Sequence, residues 1–178
     1  MDKVYIETDR LLLRGWRDSD REPFAAMNAD AEVMRHFPAC MSREQSDALV
    51  DRIVSEIDEH GLGLFAVGLK DTGEFIGFVG LHRFCFDVPF APGWEIGWRL
   101  DKRFWHQGYA TEAAAACIDH ARRHAVSDRL YSFTAVSNTP SESVMKRIGM
   151  TFSGRFMHPA LPDGHPLKEH VLYALDLK

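Results

Sequence analysis

The spacing of hydrophobic residues changes several times along the chain, and these changes predict an α/β fold. An extended segment at residues 11–13 precedes residues 18–37, whose spacing predicts one interrupted helix or two short ones. A longer helix is predicted to begin after Ser42, because Gln45 follows three residues later as in a capping box, and to end at Gly61. The N-terminal part of the chain is therefore expected to be mostly helical.

From residue 62 onward the helical spacing of hydrophobic residues gives way to an alternating, extended pattern, which predicts strands. Residues 62–70 and 74–83 are two strand patterns joined by a turn at residues 71–73. Gly77 and Gly80 lie inside the second pattern, where glycine marks a bulge or a close approach of two backbones. A third strand pattern, WEIGWRL, places its side chains on two faces: Trp94, Ile96, Trp98 and Leu100 on one, Glu95, Gly97 and Arg99 on the other.

Helical and extended patterns then alternate to the C-terminus. Tyr109 begins an alanine-rich helix, and an extended segment follows at residues 130–136. A second capping box, Thr139 with Glu142, predicts a helix that ends at Gly149, and two strands complete the chain. This order predicts a mixed sheet with a strand-helix-strand crossover near its middle.

Composition limits the class of protein more than it identifies a function. The chain has 178 residues, 46% of them hydrophobic and 26% charged, which is typical of one soluble globular domain over residues 1–178. The net charge of −5 gives no basic surface for nucleic acid, and no apolar run is long enough for a membrane span. Three cysteines without a CxxC pair indicate reduced thiols in a cytoplasmic protein, and no residue spacing predicts a metal site.

The junction between the strand WEIGWRL and the alanine-rich helix carries the clearest chemistry. Gly108 stands where the loop becomes helix, and the first amides of a helix have no internal acceptor while its dipole adds positive potential. A glycine lets an anion approach the backbone, so the junction suits a phosphate group, with Arg103 and His106 near enough in sequence to add charge. The alternative is an ordinary tight turn with glycine at the bend.

The residues around this junction resemble motif A of the GNAT superfamily of N-acetyltransferases. The pattern Q/R-x-x-G-x-G/A aligns with residues 105–110, where Trp105 replaces the usual Gln or Arg. WHQGYATEA is similar to the WGxGYATEA form of the branch related to ribosomal-protein N-terminal acetyltransferases. Further along, NTPSESVMKRIGM resembles the NxxSxxVxxKxGM segment of the family, and ETDRLLLR near the start also resembles this branch.

The resemblance implies a GNAT fold with acetyl-CoA as co-substrate. In that fold a mixed, mostly antiparallel sheet of about six to seven strands has helices on both faces. The pantetheine arm lies between two splayed strands, bonded to the backbone of the first. The implied coenzyme contacts are Trp98, Arg99 and Leu100 on that strand, then Arg103, His106, Gln107, Gly108, Tyr109, Ala110 and Thr111 around the pyrophosphate, and finally Asn138 and Lys146. For Lys146, a solvated helix face is an equally good interpretation.

Acetyl transfer to an amine needs a base for the amine, a donor for the oxyanion and a proton for the thiolate. Glu95 is the candidate base, acting through a water, and a surface or interstrand carboxylate is the alternative. The resemblance suggests a backbone N–H near Trp98 as the oxyanion donor. Many family members carry a tyrosine acid where this chain has Met145, so Ser141 becomes the candidate acid. A serine in the first turn of a helix is also an ordinary N-terminal residue.

The acceptor is expected to be a protein N-terminal amine or a small-molecule amine, acetylated directly within a ternary complex. Its pocket is expected between residues 18–57, 82–93 and 156–170. His158 is a weaker candidate for an acceptor-site role. Three phenylalanines of the second segment either line this pocket or pack beneath their loop: Phe84, Phe86 and Phe90.

Two other functions stay open. A non-catalytic acyl-CoA-binding sensor or regulatory module is favoured by the missing tyrosine at Met145. A nucleotide-binding α/β domain would instead bind ATP or NAD at the loop before Tyr109. The resemblance also allows a homodimer, and the sequence does not decide the oligomeric state.

Overall fold

A mixed sheet of eight strands and four α-helices is built from residues 3–178, which the computed structural model describes. In chain order the elements are β1 (Val4–Glu7), β2 (Leu11–Arg14), α1 (Asp18–Ala29), α2 (Arg43–His60), β3 (Leu64–Leu69), β4 (Phe75–Phe84), β5 (Gly93–Leu100), α3 (Tyr109–Arg123), β6 (Arg129–Ala135), α4 (Thr139–Arg147), β7 (Thr151–Met157) and β8 (Glu169–Asp176). The strands lie in the order β1-β2-β3-β4-β5-β6-β8-β7. Every neighbouring pair is antiparallel except β5 and β6, which the crossover helix α3 joins in parallel.

The predicted fold class, a mixed and mostly antiparallel sheet with helices on both faces, is confirmed. The strand count is eight rather than six to seven, because β1 pairs with β2 ahead of the first predicted strand. Only Ile6 of β1 is buried, so the segment shows almost no alternation from which a strand could be predicted. None of the helices within residues 3–178 is long and apolar enough to cross a membrane.

The N-terminal helices form as the side-chain pattern predicts, and of the two possibilities for residues 18–37 the structure has a single helix. Residues 18–37 contain one helix, α1, followed by turns. Ser42 and Gln45 form the predicted capping box at the start of α2, and Gly61 ends that helix in the left-handed conformation at φ +67°. The buried guanidinium of Arg14 on β2 is held by both carboxylate oxygens of Asp20 at 2.7 and 2.9 Å, which ties α1 to the sheet.

The second predicted capping box is wrong. Asn138, not Thr139, caps α4, and its Oδ1 accepts the backbone N–H of Ser141 at 3.4 Å. The Glu142 carboxylate instead accepts the Tyr173 hydroxyl at 2.6 Å, so it is drawn toward β8 rather than back to the helix start. Asparagine is at least as good an N-cap as threonine, and here a tertiary contact decides between the two.

Side chains of β5 alternate between two helical layers, as the sequence predicts. Arg99 reaches α1, where its Nη1 donates to Asn28 Oδ1, whereas Trp98 reaches α4, where its indole N–H donates to Ser141 Oγ. The face of the sheet that carries Glu95 and Arg99 therefore lies under α1 and α2, and the opposite face lies under α3 and α4.

Two glycines of β4 mark close backbone approaches, as the sequence predicts. A Cβ at Gly80 would overlap the carbonyl of Gly63, and one at Gly77 would overlap the carbonyl of Arg99. Gly77 also has a φ of +139° and lies next to an irregularity in the pairing of β3 with β4. Gly80 therefore lets β4 lie close to the start of β3, and Gly77 lets it lie close to the end of β5.

Candidate active site

A gap opens between β5 and β6 after their first residues. In the parallel pairing, Trp94 lies opposite Leu130 and Glu95 lies opposite Tyr131. Beyond them, Ser132 Oγ donates to the carbonyl of Ile96 at 2.9 Å. Both strands lie wholly within the described residues, and no residue of β5 after Glu95 is in register with β6. The strands therefore splay, and within residues 3–178 the backbone edge of β5 that faces β6 has no strand partner after Glu95.

The three predicted pantetheine contacts on β5 differ in the direction of their backbone N–H and C=O groups, which face either β4 or the gap. The N–H of Asp101 donates to the carbonyl of Ile76, so by alternation the backbone of Arg99 also faces β4 and that of Trp98 faces the gap. The carbonyl of Leu100, on the gap side, already accepts the indole N–H of Trp105 at 2.8 Å. Trp98 is thus the residue of the three whose backbone is best placed for a ligand in the gap.

The gap leads to the first turn of α3. Gly108 caps this helix in the left-handed conformation, at φ +81°, and no side chain caps it. The first helical hydrogen bond runs from the N–H of Glu112 to the carbonyl of Gly108, so the amides of residues 109–111 have no acceptor within the helix. These amides and the helix dipole form a positive end that suits a phosphate group.

Arg10, to which the sequence assigned no role, holds this loop. Its Nε donates to Glu112 Oε2 at 2.6 Å, its Nη1 donates to the carbonyl of Gln107 at 3.0 Å, and its guanidinium lies 4.5 Å from the ring of Tyr109. Burial raises the pKa of Glu112, but hydrogen bonds from Thr8 and Arg10 outweigh it and leave that pKa below its ordinary value. The only sequence signal for this residue was the resemblance of ETDRLLLR to the family.

Two of the predicted cationic contacts are already paired with carboxylates. Arg103 lies 2.9 Å from Asp101 and 3.2 Å from Glu74. Lys146 lies 3.1 Å from Glu142 on the same helix. The third, His106, belongs to the loop before α3 and has a positive φ of 60°. Arg10 is likewise paired with a carboxylate, that of Glu112 at 2.6 Å, so its clearest role is to hold the loop.

Glu95 lies on the opposite face of β5 from α3 and α4, in contact with a histidine. Its Oε2 is 2.9 Å from Nε2 of His82, which is its direct partner across the β4–β5 ladder. Burial lowers the pKa of His82, but the charge and hydrogen bond of Glu95, together with the charge of Glu56 on α2, outweigh burial and raise that pKa. Sequence reasoning missed His82, because only the strand register brings it beside Glu95.

Ser141 lies at the other side of the gap, in the first turn of α4. Its Oγ accepts the indole N–H of Trp98 at 3.2 Å, so its own hydroxyl proton can point elsewhere. Asn138 serves as the N-cap below it and donates from Nδ2 to Thr134 Oγ1 at 2.9 Å. Met145 is 1% exposed, so the position of the usual tyrosine is filled by a packed apolar side chain.

The predicted acceptor region contains an aromatic cluster and a cavity. Phe84 lies 5.3 and 5.7 Å, between ring centroids, from Phe86 and Phe90, and these rings also contact β6 and β7, so the three pack beneath their loop. His158 lies 4.8 Å from the ring of Phe86 and is close enough to Glu95 for that charge to act on it. Between residues 34–41 and α2 lies a cavity of about 450 Å³, lined in part by Phe37, Leu49 and Arg52.

Comparison with known proteins connects this geometry to one family. The model of the acetyltransferase (GNAT) domain matches residues 10–151, a range that includes the strand before the gap, the Gly108 loop and α4. The chain belongs to the GNAT acetyltransferase family. The predictions of this family and of an acetyl-CoA-dependent acetyltransferase are thereby confirmed.

Relatives of this GNAT acetyltransferase match it over nearly its whole length. The uncharacterized N-acetyltransferase YnaD of Bacillus subtilis is 28% identical over 173 residues, which cover 97% of this chain and 96% of YnaD. A GNAT-family acetyltransferase from Bacillus anthracis has 26% identity and a TM-score of 0.81, covering 99% of both chains. RimL, a ribosomal L7/L12 α-N-protein acetyltransferase in complex with coenzyme A, has 18% identity and a TM-score of 0.78 over 98% of both chains, a likeness of fold.

Proposed function

We propose that this GNAT acetyltransferase transfers the acetyl group of acetyl-CoA directly to a primary amine within a ternary complex. The observation that carries the proposal is the gap between β5 and β6, which leads to uncapped amides at α3 and has a carboxylate, Glu95, across the strand. The acceptor is a small-molecule amine or a protein N-terminus. The coenzyme bound to RimL, a protein of the same fold, supports the choice of donor.

The donor would lie along the gap with its pyrophosphate at α3. Trp98 offers its backbone to the pantetheine arm, and the amides of residues 109–111 offer donors to the phosphates. Gly108 lets the phosphates approach, and Arg10, which is ion-paired with Glu112, holds the loop in place. Three of the remaining predicted contacts have partners within the protein, because Arg103 and Lys146 are ion-paired and Asn138 caps α4. His106, in the loop before α3, stays a predicted contact of the pyrophosphate.

The proposed reaction uses Glu95 on one face of β5 and Ser141 on the other. The amine nitrogen attacks the thioester carbonyl carbon, the carbon–sulfur bond breaks, and an amide and the thiol of coenzyme A are formed. The proton that the amine loses passes through a water to Glu95. Ser141 passes a proton to the departing thiolate and regains one from solvent water, and Glu95 returns its proton to solvent to complete the turnover. A backbone N–H near Trp98 would stabilise the oxyanion.

The buried Met145 favours one other function, a module that binds acyl-CoA without catalysis. A single experiment separates the two functions. Purified protein with acetyl-CoA is tested for thiol release against a panel of small amines and ribosomal N-terminal peptides. Release with at least one amine, confirmed by the mass of the acetylated product, supports the enzyme. Tight binding of coenzyme A without release from any amine favours the module.

A further inference from the structure

Arg99 is a buried cation that has no carboxylate partner among residues 3–178. It is 8% exposed, and its guanidinium makes one hydrogen bond within that range, from Nη1 to Asn28 Oδ1 at 2.7 Å. Its Nε is buried and has no acceptor there. The other buried arginine, Arg14, is paired with both oxygens of Asp20. The chain therefore neutralises one buried guanidinium and leaves the other without a counter-charge.

The surroundings hold Arg99 in place without neutralising it. Asn28 donates from Nδ2 to Ser46 Oγ at 2.9 Å, which turns its carbonyl oxygen toward the guanidinium. The rings of Phe37 and Phe78 lie 4.2 and 5.4 Å from the guanidinium carbon, but neither carries a formal negative charge. Burial lowers the pKa of Arg99 to about 10, which leaves it charged at neutral pH. A buried charge of this kind is costly unless an anion completes the site.

The position of Arg99 places it on the same face as the candidate base. Glu95, Gly97 and Arg99 lie on one face of β5, because the pairing with β4 is continuous and side chains alternate. A Cβ at Gly97 would meet no atom of residues 3–178 within 4 Å, so these residues leave open space between the two charged side chains. At about 3.3 Å per residue, their Cα atoms are about 13 Å apart. This face thus presents a carboxylate, a space and an unpaired guanidinium in a row.

We propose that Arg99, held by Asn28, binds the carboxylate of the acceptor while the acceptor amine faces Glu95, so that the substrate is a small amino-carboxylic acid. The proposal rests on the proposed acetyl transfer. Hydrogen bonds of about 2.8 Å at each end, with one water before Glu95, let an α-amino acid span this space. One guanidinium matches the single charge of a carboxylate. A peptide N-terminus carries a neutral carbonyl at the same place and leaves Arg99 without a counter-charge.

The test compares acceptors that differ only in this charge. Thiol release is measured with glycine, leucine and phenylalanine and with the amide of each. The wild-type protein is expected to prefer the acid, and Arg99→Met should lower kcat/KM for the acid by roughly ten- to a hundredfold while that for the amide stays within about twofold. Arg122→Met, which removes an exposed arginine of α3, serves as the matched control and should keep the preference.

A second variant, Asn28→Asp, tests the same proposal if Arg99→Met does not fold. Asn28→Asp places a carboxylate beside Arg99 with almost no change of shape, and Ser46 can donate to it. This variant should also lose the preference for the acid. Equal use of acid and amide by the wild type, a preference for peptide N-termini, or an equal loss for both acceptors in the variants would overturn the proposal and leave Arg99 a structural residue.

Failure of the proposed function has a different signature. If none of these amines releases thiol, the proposed transfer to them fails, and the anion site is judged by calorimetry on the complex with coenzyme A. Binding of phenylalanine but not of its amide, abolished in Asn28→Asp, supports the site. Absence of acid-selective binding rules it out.

Discussion

His82 Nε2 lies 2.9 Å from Glu95 Oε2, and the two residues are direct partners across β4 and β5. One carboxylate oxygen is thereby occupied, and the other is left for a water or an amine. Glu56 on α2 and His158 on the loop before β8 are the other charged or titratable groups whose effects reach this pair. His82 and Glu95 therefore form one hydrogen-bonded unit, and a change in either residue is expected to affect the other.

Replacement of Glu95 tests its role as the base. Glu95→Gln keeps the shape and a hydrogen-bonding oxygen but cannot accept a proton, so kcat should fall by about 10²-fold or more at neutral pH. The loss should shrink as the pH rises toward the pKa of the acceptor amine, because a neutral amine needs no base. The measurement is kcat against pH at saturating substrates, with Glu22→Gln on α1 as the control. A small, pH-independent effect removes Glu95 from the mechanism.

Replacement of His82 tests the pair through stability. The pKa of His82 is raised above its ordinary value of 6.5, so the folded state binds the proton more tightly than the unfolded state. This contribution is fully present below about pH 6.5 and is lost as the pH rises through the higher folded pKa. The free energy of unfolding should therefore differ most between wild type and His82→Gln at the acidic end of that range.

Denaturant unfolding of both proteins at several pH values measures this difference. The double variant His82→Gln with Glu95→Gln closes a mutant cycle, and the coupling between the two residues should fall with rising pH in the same window. A coupling that grows with pH would contradict the assignment of a raised pKa to His82.

Local rules predicted much of the fold, and long-range register decided most of the site. Ser42 with Gln45 and the alternation of β5 depend on neighbours in sequence, so both were predicted correctly. The partners His82–Glu95 and Arg99–Asn28 depend on which strands and helices meet, and no spacing in the sequence reports that. The Gly108 junction was predicted from the order of strand, glycine and alanine-rich helix in one continuous stretch, and the family resemblance then added the coenzyme.

The wrong capping box has the same physical cause. Thr139 with Glu142 satisfied the spacing of a capping box, but the hydroxyl of Tyr173 on a distant strand donates to that carboxylate instead. The contact of Arg103 with Glu74 likewise forms only when the residues before β4 meet the loop after β5, whereas the pair of Lys146 with Glu142 is a local contact within α4. Side chains that sequence reasoning assigned to the coenzyme are thus partly engaged within the protein.

Substitution of Gly108 tests the phosphate loop. Gly108→Ala and Gly149→Ala both place a side chain at a positive φ, 81° and 85°, and each should lower the free energy of unfolding by about 1–2 kcal/mol. Only Gly108 lies at the uncapped end of α3, so only its variant should weaken coenzyme A binding, by roughly tenfold or more. Calorimetry and denaturant unfolding measure the two effects. Equal affinities in the two variants count against the phosphate site.

Removal of the Ser141 hydroxyl tests the proposed acid. Ser141→Ala should lower kcat by roughly tenfold or more without changing coenzyme A affinity, since the thiolate would leave without a proton. Trp98→Phe removes the indole donor that orients the hydroxyl and should give a smaller loss. Ser143→Ala on the same helix, whose hydroxyl donates to the carbonyl of Thr139, is the matched control. If Ser141→Ala behaves like Ser143→Ala, water rather than Ser141 protonates the thiolate.

Filling the space above Gly97 tests where the acceptor binds. A Cβ there meets no atom of the described residues within 4 Å, so Gly97→Val should fold normally and place its methyl groups between Glu95 and Arg99. The KM for the acceptor should rise by roughly tenfold or more while coenzyme A affinity is unchanged, because the coenzyme is proposed to occupy the gap edge rather than this face. Gly80→Ala is the contrasting variant, since its Cβ would overlap the carbonyl of Gly63 and should lower stability instead. A normal acceptor KM in Gly97→Val would place the acceptor elsewhere and separate Glu95 from the amine it is proposed to deprotonate.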